Sequence, residues 1–195
     1  MPNPLLGAMD RIKTAQTLLK ELLLSDSSVP STFYKILLLG IRDAYEFHCD
    51  LVLAKQPLDL PARLREYYEE ALRFWRIHDR ERAIYYLGGA LYVLKDAWLG
   101  MTEDPFYETY LEKTLRQQAS FPLSGVRLEA FIPPEQWALD AIQERQRIEP
   151  FIREKLDHNE RESKELADVT SQLMVRAEAA GAQLLLQFFI EASET

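Results

Sequence analysis

With 195 residues, 47% of them hydrophobic and 28% charged, the chain has the balance of a globular domain with room for one substantial core. Its net charge of -8 weighs against a nucleic-acid backbone or an anionic membrane surface as partner, because both demand a basic face. Cys49 is the sole cysteine, which excludes an intrachain disulfide and suits a reducing, cytoplasmic setting.

In chain order, the start through Lys13 shows no charged-then-apolar export pattern. Ile12, Ala15, Leu18, Leu19 and Leu22 keep a helical spacing and predict a first helix from Ala8 to Leu24. After a polar turn, Ser31 caps a second helix carrying Ile36, Leu39, Ala44, Phe47 and Leu51. Pro61 suits the first turn of a third, which carries Leu64, Tyr67, Tyr68, Ala71, Leu72 and Trp75, since its missing N–H costs nothing there. The His78-Asp79 turn leads to a fourth, Arg80 to Leu99, stopped by Gly100. Asp104-Pro105 opens a fifth over Phe106 to Gln118, and the segment from Ser120 to Pro134 reads as a loop. Glu135 to Leu156 reads as a helix kinked at Pro150, and Glu160 to Ala192 as a long last helix. The expectation is one all-α domain of about seven helices spanning residues 1–195. No apolar run approaches the ~18–20 residues that span a bilayer, so no membrane span is expected.

The stretch from Ala71 to Asp96 reads ALRFWRIHDRERAIYYLGGALYVLKD. Ala71, Trp75, Ala83, Tyr86, Leu87, Gly88, Ala90, Leu91 and Asp96 fall in one ungapped frame, and in that frame the chain resembles the zinc-dependent phospholipase C family, which shares its fold with the S1/P1-type nucleases. The likeness continues through Gly100-Met101-Thr102 to the segment DPFYETY at Asp104 to Tyr110. It implies the phospholipase C/P1 nuclease fold, with Asp96 and Glu108 retained from the family's ligand set. Tyr92, Thr102 and Asp104 would stand where the family has histidines.

That family holds a trinuclear zinc site on about five histidines, with carboxylates and the amine of an N-terminal tryptophan, because zinc needs nitrogen and oxygen donors to acidify its bound water. This chain has three histidines in all, His48, His78 and His158, and Met9 falls near the place of the family's first-helix histidine. No zinc is therefore expected, and the ligand-binding candidates are Tyr92, Asp96 and Glu108. A reduced metal site, if any, would draw on Asp96, Glu108, Asp104 and His48.

Each candidate has a plainer reading. Asp96 fits a carboxylate paired with an Arg or Lys, or one exposed near its helix end. Asp104 fits an N-cap. His48, close to Asp43, Glu46 and Asp50, fits a surface group in an acidic cluster. His78-Asp79 matches the dipeptide of helical His-Asp phosphohydrolases, but falls in a turn where Asp79 would cap a helix. Cys49 and His48 diverge by ~100° on a helix, against a nucleophile pair. The aromatics of the third and fourth helices read as a ligand groove or as core. For Tyr92 the expectation is a ring that plugs a former metal cavity, its hydroxyl bonding Asp96 one turn on.

Three functions follow: a non-catalytic relative kept as a binding or scaffold module, a metal-dependent phosphoesterase with a reduced carboxylate site, or a structural domain that self-associates. The last rests on Leu184, Leu185, Leu186, Phe188, Phe189 and Ile190, apolar nearly all round and so either buried or an interface for a second copy or a protein partner.

Overall fold

The computed structural model describes residues 31–100, 130–158 and 163–194, and every regular element within them is an α-helix. The predicted helices at Ala8 to Leu24 and Phe106 to Gln118 lie outside the described residues, as do Met9, Thr102, Asp104 and Glu108. The five described helices are α1 (Ser31–Leu53), α2 (Leu60–Arg76), α3 (Arg80–Leu99), α4 (Pro134–Asp157) and α5 (Lys164–Ser193).

Local chemistry accounts for their ends. The Asp59 carboxylate accepts from Ala62 N at 3.0 Å and caps α2, with Pro61 in the first turn. Asp79 does the same for α3 through Arg82 N, so the His78-Asp79 step is a turn and a cap. Ser163 caps α5 through Leu166 N, which starts that helix at Lys164 rather than at Glu160. Helix α4 runs continuously through Pro150, whose side of the helix faces solvent.

Helix α3 is the centre. Apolar on nearly every side, it must be enclosed, and α1, α2, α4 and α5 all pack on it. The main core joins Leu37, Ile41, Leu64, Tyr68, Leu87, Leu91, Leu94, Leu184 and Phe188 around it. A second cluster seals the far end of α3, where Leu99 meets Ile152 and Leu156 of α4 and Leu166, Leu173 and Met174 of α5.

The crossing of α1 over α3 is a backbone contact. A Cβ built on Gly88 would lie 2.2 Å from Leu37 O, and one on Gly40 would lie 1.9 Å from Tyr85 O. Only hydrogen fits at either position, so the two glycines set how closely the helices approach.

Gly100 ends α3 in the left-handed region at φ 60°, and its N–H donates to Asp96 O at 2.7 Å. A Cβ there would also meet Arg145 Nη1 at 2.2 Å. Gly100→Ala should therefore lower stability by about 1–2 kcal/mol from the backbone alone, with the displaced Arg145 adding to it. Urea unfolding checks this; a variant as stable as the parent would contradict the capping account.

Helix α5 is the one described helix long and apolar enough to cross a bilayer, with mean hydropathy 1.3 over 18 residues. It contains no unbroken apolar run of that length: Arg176, Glu178, Gln183 and Gln187 interrupt it, and alanines between the large side chains support the average. Of that window 61% is buried inside the protein, the condition of a core helix. Leu184, Leu185 and Phe188 point inward, while Leu186, Phe189 and Ile190 are half-buried.

Candidate functional site

Along α1 the residues that turn inward are Leu37, Ile41, Ala44, Tyr45 and His48, a stripe of helical spacing that ends in an imidazole. Across the crossing, α3 turns Tyr92 and Asp96 toward the same interior. His48 is 0% exposed and Asp96 2%, and His48 Nδ1 stands 3.5 Å from Asp96 Oδ2. The Tyr92 ring lies edge-on to the imidazole, with centroids 5.0 Å apart and planes at 69°, and the Tyr45 ring meets that of Tyr92 edge-on at 6.0 Å. One imidazole, one carboxylate and one phenol thus share the centre of the bundle.

Two expectations are corrected here. His48 is a core residue and not a surface group, because its place on the inward stripe outweighs its acidic sequence neighbours. Those neighbours leave it: Asp43 binds Arg42 and the Tyr85 hydroxyl, and Glu46 and Asp50 are exposed. Asp96 is buried and not exposed near its helix end, and the His48 imidazole faces it. The structure brings Tyr92 and Asp96 to one interior as the sequence suggested, and adds His48 beside the carboxylate.

The geometry at His48 is loose. The 3.5 Å approach exceeds the usual ~2.7–3.2 Å of an N–H···O bond, and neither ring nitrogen has a hydrogen-bond partner among the described residues. The other two imidazoles are elsewhere: His78 sits exposed in the turn before α3, and His158 is exposed at the end of α4 with Nδ1 2.7 Å from Glu154 O. Asp96 lies some four turns along α3 from its first residue, Arg80, roughly 24 Å by helical rise, and His78 precedes that start. Among the described residues no group of three or more His, Cys, Asp or Glu is placed to hold a metal ion.

Sequence reasoning missed a buried ion pair one residue away. Lys95 Nζ meets Glu178 Oε1 at 2.5 Å, with both side chains nearly enclosed between α3 and α5. Arg145 of α4 is also buried, 3.7 Å from Glu149 and against Gly100. The last turns of α3 therefore face an imidazole from α1, pair ionically with α5 and pack against a guanidinium from α4. The sequence signal for Glu178 was its position at the inward spacing between Met174 and Ala182.

The aromatics sort into core and rim. Tyr68 is buried, its ring against Phe188 and its hydroxyl donating to Glu191 at 3.1 Å; burial, and then Glu191, push its pKa up. Gln187 extends this link: it donates to Glu191 and to Ile132 O, at 2.8 and 2.9 Å, and so ties the approach to α4 onto α5. Nearer the rim, Tyr86 stacks on Phe74 and touches Tyr67 and Tyr85. The Tyr85 hydroxyl donates to Asp43 at 3.0 Å, and burial together with that bond raises its pKa to about 12 from the ordinary 10.0.

A raised tyrosine pKa means that folding favours the protonated form. Its contribution is complete below the unfolded pKa of 10.0 and is lost as pH rises toward 12. Tyr85→Phe should therefore flatten the fall of the urea midpoint across that alkaline window, leaving the part due to Tyr67 and Tyr68, which burial also raises. An unchanged alkaline slope would count against the Tyr85–Asp43 bond.

These features define the class as an all-helical bundle with a small ionisable centre. Compared with protein-family models, with curated proteins and with solved structures, the chain matches none.

Proposed function

We propose that the chain is a non-catalytic relative of the zinc-dependent phospholipase C family, acting as a binding or scaffold module. The observation that carries this is the content of the interior: Asp96 has one imidazole beside it, and a phenol stands at position 92, where the resemblance would put a ligand. A zinc cluster that activates water needs several nitrogen donors around one point, and two of the chain's three histidines lie at the ends of helices, exposed. Tyr92 fills the space beside the imidazole with a ring, and no hydrogen bond joins its hydroxyl to Asp96.

The second reading, a phosphoesterase with a reduced metal site, is favoured by the burial of His48 against Asp96, since ionisable groups brought together in a core are a common mark of function. One experiment separates the two. After equilibration with zinc or manganese and dialysis, the protein should retain metal far below stoichiometry. Its hydrolysis of bis(p-nitrophenyl) phosphate should equal that of Asp96→Asn and of a no-protein blank. Stoichiometric metal that disappears in His48→Gln, or turnover that disappears in Asp96→Asn, overturns the proposal in favour of the enzyme. Self-association through the last helix has less to support it, because Leu184, Leu185 and Phe188 are turned into the core.

A further inference from the structure

No further inference is drawn: the strongest candidate, the half-buried tyrosine surface of Tyr67, Tyr85 and Tyr86 where α2 and α3 meet α1, carries nothing because nothing in the structure shows what covers it.

Discussion

Gly88→Ala should unfold at a markedly lower urea concentration than the parent, a loss of about 3 kcal/mol or more. The direction is opposite to what helix propensity alone gives, since alanine inside a helix is favoured over glycine by ~1 kcal/mol. The new methyl would lie 2.2 Å from Leu37 O and 3.2 Å from Ile41 N, and these are backbone atoms that cannot rotate aside. Relief comes only by parting α1 from α3, which opens the packing around Leu37, Ile41 and Leu91. Gly40→Ala meets the Tyr85 carbonyl in the same way and should cost a similar amount. Gly89→Ala supplies the contrast: its methyl would meet the Tyr67 ring at 2.6 Å, a half-buried side chain able to swing outward, so its loss should be smaller. Equal stability of Gly88→Ala and parent would mean that the helices do not approach so closely.

The second large effect is expected at the Lys95–Glu178 pair. Glu178→Ala strands an ammonium group in the core, and removing one partner of a buried ion pair costs about 3–5 kcal/mol. The double variant Lys95→Met/Glu178→Leu should recover most or all of that, because it removes two desolvated charges together and leaves apolar groups of similar size. Recovery is made easier by the second carboxylate oxygen of Glu178, Oε2, which has no hydrogen-bond partner among the described residues even in the parent. Chemical denaturation of the single and double variants gives the comparison. A double variant no more stable than Glu178→Ala would show that the pair contributes more than mutual neutralisation.

Much of the fold was legible because its punctuation is chemical. Asp79 and Gly100 bound α3 as the sequence suggested, and Pro61 lies in the first turn of α2. Helices α1, α4 and α5 follow apolar spacing, with errors confined to their ends. The expected seven helices stand at five among the described residues. The ionisable centre was legible only in part. Tyr92 and Asp96 were singled out from the frame they share with a known family, but their inward placement follows as well from α3 being enclosed on all sides. Most of the positions that carry that resemblance are packing positions too: Ala71, Ala83, Leu87, Ala90 and Leu91 are all buried, and Gly88 is required by the crossing. A likeness built of such residues speaks to how helices fit together more than to what they do.

His48 was misread for a physical reason. Its sequence neighbours are acidic, and a histidine among carboxylates suggests water. The decisive fact is periodic instead: His48 lies four residues beyond Ala44 and seven beyond Ile41, on the stripe that faces α3. Its meeting with Asp96, and that of Lys95 with Glu178, joins residues far apart in sequence, and no local pattern encodes such encounters.

Lys95 and Asp96 are consecutive, yet one answers a charge on α5 and the other faces an imidazole on α1. Neither of those outer helices packs substantially on the other; α3 stands between them. A change of partner on one flank that turns this short stretch of backbone by a few degrees re-aims the side chain on the opposite flank as well. Substitutions at His48 and Glu178 are thus mechanically linked without touching, and their energetic consequences need not add.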